Sequence, residues 1–172
     1  MTTAAEVITE LEVRAISAEV LAELRAADDA GNPPRLLTDA EGGSPLRCCL
    51  RPVRPGERVA LVSYAPLRRW ARATGATPGP YEETGPVFIH PQACAGPDGR
   101  GFPAQICRGR RVFRTYSADG SIGGGVLVEP GQLAGPGAAE RILAGQLEDP
   151  DVAFVHVRAV EFGCFLFEVR RA

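Results

Sequence analysis

Lysine is absent from this chain, and its 19 basic residues are all arginine. With abundant Ala, Gly and Pro, this fits codon bias in a GC-rich bacterium. Many of these arginines therefore stand where another protein would place a surface lysine, and their number alone does not signal anion recognition. Aromatic side chains are scarce at 6%, and a net charge of -2 supplies no field to draw nucleic acid or an anionic membrane. The one basic cluster, Arg108-Gly109-Arg110-Arg111, is short and reads as solvated surface. No apolar run approaches the ~20 residues of a membrane helix. Residues 1–12 hold neither the basic region nor the apolar stretch of an export signal, so a cytoplasmic protein is expected. The five cysteines are an odd number without a Cys-x-x-Cys pair and are expected to be reduced thiols. Gly123-Gly124-Gly125 lacks the lysine and the following Ser or Thr of a phosphate loop. No cofactor and no metal is expected.

What is present describes one globular domain. At 172 residues the chain suits a single hydrophobic core, giving one domain over 1–172 with residues 1–9 expected to be disordered. Polar-apolar alternation predicts a strand over 10–15, and Ser17 is placed to cap a helix over 18–28. Leu46, Cys48 and Leu50 alternate with Arg47, Cys49 and Arg51. With Pro55-Gly56 as the turn, that pattern predicts a hairpin into a strand over 58–64, with Cys48 and Cys49 on opposite faces. Residues 65–80 read as a long loop with one helical turn near 68–72, and residues 91–109 as a second long loop. Further strands are expected at 86–90, 111–117 and 126–128, with Gly123 to Gly125 as a flexible stretch before the last of these. A helix over 137–148 is followed by strands at 152–157 and 163–170. This order predicts an α+β fold with a largely antiparallel sheet, one early helix and one late helix.

Only two histidines occur, and each ends a similar apolar run: Val87-Phe88-Ile89-His90 and Ala153-Phe154-Val155-His156. A cysteine follows each, Cys94 after the first and Cys164 after the second. An imidazole can take the proton of a thiol or stabilise its thiolate, so the four residues form a candidate site. If the two strands are neighbours, the imidazoles should lie within a few ångströms of one another or share a pocket with Cys94 or Cys164. Arg114, Tyr116, Tyr81 and Arg51 are candidate substrate contacts.

Several blocks carry a family resemblance: Pro45-Leu46-Arg47-Cys48-Cys49-Leu50 with Pro55-Gly56-Glu57, and Tyr81 with Gly85-Pro86-Val87-Phe88-Ile89-His90 and Cys94. Arg114-Thr115-Tyr116 with Asp119-Gly120, and Asp149-Pro150 through Val155-His156-Val157 to Gly163-Cys164, extend it. Together they resemble the domain of unknown function 1203 family of small bacterial proteins, with Leu46 where a cysteine is expected and an atypical Gly123 to Gly125. The resemblance implies an α+β fold and a Gly-Pro-strand-His block, and no particular chemistry.

The resulting expectation is a cofactor-independent enzyme acting on a small molecule, with Cys94 as nucleophile or thiol donor, His156 as general base and His90 as an orienting group. Two alternatives stay open. The same residues could line or pack a pocket in a noncatalytic binding protein, since a histidine after an apolar run and a free cysteine are both common in cores. They could also hold zinc through two histidines and two cysteines. Expected partners are a small-molecule ligand or substrate, with neither nucleic acid nor membrane.

Overall fold

A computed structural model describes residues 11–172, so the expected disorder of residues 1–9 lies outside the described residues. The α+β reading holds, with eight strands among the described residues arranged as two antiparallel sheets. The larger sheet runs β1 (Leu11–Arg14), β8 (Phe165–Arg171), β7 (Phe154–Ala159), β5 (Arg111–Tyr116) and β6 (Ile122–Val128). The smaller runs β2 (Arg35–Asp39), β3 (Glu57–Tyr64) and β4 (Gly85–Ile89). Among the described residues, no helix is long and apolar enough to cross a membrane.

Helix α1 (Ala18–Ala26) is capped by the Ser17 hydroxyl, which accepts from the Val20 N–H, and buries Leu21 and Leu24. Helix α3 (Ala138–Leu147) buries Leu143 and Leu147 against the larger sheet, where Phe113, Val155, Val157 and Phe167 complete a core. Between them stands α2 (Pro66–Thr74), where the sequence reading has a loop with a single helical turn. Its signals are positional: Pro66 sits in the first turn, where its missing N–H costs nothing, and Gly75 takes the left-handed conformation (φ 76°) that ends the helix. Leu67 and Trp70, one turn apart, pack on Tyr116 and Phe154.

The triple glycine is likewise regular structure. Gly124 and Gly125 pair with Thr115 and Arg114 inside β6.

The largest departure concerns residues 46–50. They form no strand, and the partner of β3 on that side is β2, from Arg35↔Leu61 to Asp39↔Glu57. Instead Pro45 and Pro52 bridge, and the chain between them closes into a helical turn in which the Leu50 N–H donates to the Leu46 carbonyl at 3.0 Å. Leu50 has φ 56°, uncommon for a branched side chain, and is held there by burial. All five residues of this turn, Arg47 included, are buried. The alternation seen in the sequence is therefore a coincidence of composition, because an i→i+4 turn does not separate adjacent side chains onto opposite faces.

Candidate functional site

The buried turn seats Cys48 and Cys49 beside the end of β4. The Arg47 N–H donates to the Phe88 carbonyl at 2.9 Å, and the Arg47 guanidinium Nε donates to the Phe165 carbonyl at 2.8 Å, joining the turn to both sheets. Burial pulls the Arg47 guanidinium down to about 10, which leaves it cationic at neutral pH.

His90 directly follows β4, and its Nδ1 lies 3.3 Å from Cys48 Sγ and 3.8 Å from Cys49 Sγ. The two sulfurs are 3.9 Å apart, and the His90 backbone N–H donates to Cys48 Sγ at 3.3 Å. Cys94, exposed on the long loop, comes back over this group. The four donor atoms of Cys48, Cys49, His90 and Cys94 all lie within 4.8 Å of one another.

The far side of the imidazole is equally defined. His90 Nε2 is 3.0 Å from Glu57 Oε1, and Arg51 grips the same carboxylate through both of its terminal nitrogens, at 2.6 and 3.0 Å. Arg51 Nη2 is also 3.0 Å from Nε2. A guanidinium cannot accept a proton and the carboxylate is the stronger acceptor, so Nε2–H donates to Glu57 and the Nδ1 lone pair faces the sulfurs. The Arg51 hydrogen bonds, with the Arg54 N–H and His90, hold the Glu57 carboxyl well below the usual range against its partial burial. Cys49 is lowered to about 6, against its burial, because the Cys48 thiol donates to it, aided by the Arg51 N–H and the Arg51 charge. Cys48 is correspondingly pushed up.

A cleft of about 780 Å³ opens beside this group, bordered by Arg25, Arg51, Glu57, His90 and Cys94.

Of the residues singled out from the sequence, His90, Cys94 and Arg51 come together here. His156 and Cys164 do not. His156 lies in the middle of β7, whose neighbours are β5 and β8, whereas β4 belongs to the other sheet. It is 1% exposed and caged by Tyr116, Phe154 and Phe165 at ring-centroid distances of 4.6, 5.1 and 4.9 Å. Its Nε2 is 3.3 Å from Glu168 Oε2, and burial holds its pKa below the ordinary value.

Cys164 sits in a separate cavity of about 280 Å³ with Tyr64, Glu83 and Arg158. Tyr116 is buried and stacked on Phe154, with its hydroxyl 3.4 Å from Arg114 Nη1; Arg114 in turn meets Glu83 at 3.3 Å. Tyr81 lies exposed in a short turn over Gly79–Tyr81.

The shared motif of an apolar run ending in His is thus a local likeness, and strand order, which is set by non-local pairing, separates the two histidines. Cys48, Cys49 and Glu57 stand in the sequence reading as strand or family-block residues and are not assigned to the site. Proline at both ends of the 45–52 segment was the available sign that it closes on itself instead of extending.

Residues 43–171 match the family described as Protein of unknown function (DUF1203), and the chain belongs to that family. No curated protein and no solved structure matches it.

Proposed function

We propose that this family member is a zinc-binding protein whose ion is held by Cys48, Cys49, Cys94 and His90 Nδ1. The observation that carries this reading is the convergence of three sulfurs and one imidazole nitrogen within 4.8 Å. In a tetrahedral zinc site with Zn–S near 2.3 Å and Zn–N near 2.0 Å, a sulfur and a nitrogen ligand are spaced about 3.5 Å apart and two sulfurs about 3.8 Å. The sulfur–nitrogen contacts of 3.3 and 3.8 Å and the sulfur–sulfur contact of 3.9 Å among Cys48, Cys49 and His90 lie within about 0.3 Å of those spacings. Glu57 on Nε2–H supplies the carboxylate that fixes the tautomer of a zinc-bound histidine, and Arg51 fixes Glu57. Soft thiolates favour zinc over magnesium or calcium. A zinc site departs from the expectation of no metal, which sets Cys48 and Cys49 on opposite faces of a strand. A reducing, cytoplasmic setting suits five free thiols, and nucleic acid is not an expected partner.

The full chain purified without chelator should carry one zinc per molecule by elemental analysis, and chelation should lower its melting temperature. Substoichiometric metal together with a melting temperature indifferent to chelator would end this reading.

A second reading, a metal-free thiol enzyme acting on a small molecule, draws on one specific observation. The lowered Cys49 thiol and the exposed Cys94 stand beside an imidazole already oriented by a carboxylate. It requires Cys94 or Cys49 in the metal-free chain to react with iodoacetamide at neutral pH faster than an ordinary thiol. An ordinary rate removes that reading.

A further inference from the structure

We infer that the cleft beside His90 and Cys94 binds a small organic acid, its carboxylate between Arg25 and Arg58 and its apolar body on Pro34 and Leu36. Arg25 ends α1 and reaches His90 only through the backbone, its Nε donating to the His90 carbonyl at 3.0 Å. Its Nη2 is buried and donates to nothing among the described residues, and the side chain borders the cleft. A buried donor on a charged group is costly to leave unpaired, so the position favours an incoming acceptor. Arg58, on β3, lines the same cleft and is exposed, and no carboxylate pairs with it among the described residues. Arg51, by contrast, is already matched by Glu57.

The rest of the wall is apolar and open. Leu36 is 53% exposed and faces this cleft with the partly buried Pro34. A volume of about 780 Å³ is in the range of small-molecule pockets. The exposed apolar side chain selects within the oxyanions: Leu36 beside the two arginines gives a monoanion with an apolar body a contact that bare phosphate lacks. This inference goes beyond the zinc reading and does not depend on it, because neither arginine is a metal donor.

The test uses the full chain as purified, followed by ¹H–¹⁵N NMR, with hexanoate, hexanol and inorganic phosphate as separate probes up to about 10 mM, a range that covers weak binding. Hexanoate is expected to shift the Leu36 amide and the Arg25 Nε–H saturably, with hexanol and phosphate weaker. Arg58→Gln, at an exposed position, should weaken hexanoate about tenfold, the loss of one charge-assisted contact. The inference is overturned by any of three results: hexanol binding as well as hexanoate, phosphate binding more tightly, or Arg58→Gln leaving the hexanoate affinity unchanged. An absence of saturable shifts at Leu36 and Arg25 would overturn it equally. Zinc content, measured on the same samples, separates failure here from failure of the metal reading.

Discussion

The two histidines do opposite work, and single substitutions separate them. His156 fills an aromatic cage inside the larger sheet, so His156→Ala should cost about 3 kcal/mol of unfolding free energy, as for other large-to-small core changes, while zinc content stays at one per chain. His90→Ala should do the reverse: metal is lost, and the stability of the chelated protein changes little, since His90 is only partly buried. Denaturant titration with and without chelator, paired with elemental analysis, reads both effects, and equal behaviour of the two variants would contradict the division of roles. Arg47 is a third decisive residue. It is 3% exposed and its guanidinium bonds the Phe165 and Pro45 carbonyls. Arg47→Met keeps the unbranched apolar stem of the side chain and removes those donors, so a loss of about 2 to 4 kcal/mol with weakened zinc retention is expected in urea unfolding.

Among the elements, the segment after β4 is the one that zinc would change. Residues 91–103 have no strand or helix, and Cys94 is the donor that ties them to the buried pair. A ligand on an irregular loop acts as a clasp, because the metal restrains backbone that packing leaves free. Trypsin cleavage at Arg100 should accelerate several-fold when zinc is removed, and Cys94→Ser should reproduce that acceleration without chelator. A cleavage rate indifferent to both treatments would mean that packing alone holds the loop. The smaller sheet contributes the fixed half of the same device: β4 delivers His90, and the start of β3 delivers Glu57.

For the whole molecule, acid sensitivity follows from the buried groups of the larger sheet. Burial lowers the pKa of His156, so the unfolded chain takes up a proton near the ordinary value of 6.5 while the folded chain resists it. Stability is therefore complete above that value and is lost as pH falls below it. Glu168 is buried, which opposes its charge, but its hydrogen bond from His156 and the nearby Arg170 hold its pKa below the usual value of 4.5. Its contribution is present above 4.5 and lost as pH falls further, in the same direction. Urea unfolding from pH 8 to 4 should show a decline beginning near 6.5, and His156→Phe, which keeps an aromatic ring in the cage, should flatten its first part. If the variant declines as steeply as the parent over that part, His156 is not the group responsible.

The sequence by itself determined the α+β class, the late helix, the Ser17 cap, the terminal strands and the block that ends at His90, because these rest on local periodicity, capping and turn chemistry. It also singled out Cys94 and Arg51. Only the tertiary structure decided that His90 and His156 lie in different sheets, that the partner of β3 on one side is β2, and that residues 46–50 coil into a buried turn. Strand order depends on contacts distant in sequence, and a short apolar run reads alike as strand or as turn. Cys48 and Cys49 are adjacent in every conformation. That both sulfurs meet His90 and Cys94 follows from the closure at Pro45 and Pro52 and from Arg47 bonding across to Phe165, neither of which is written in the local pattern.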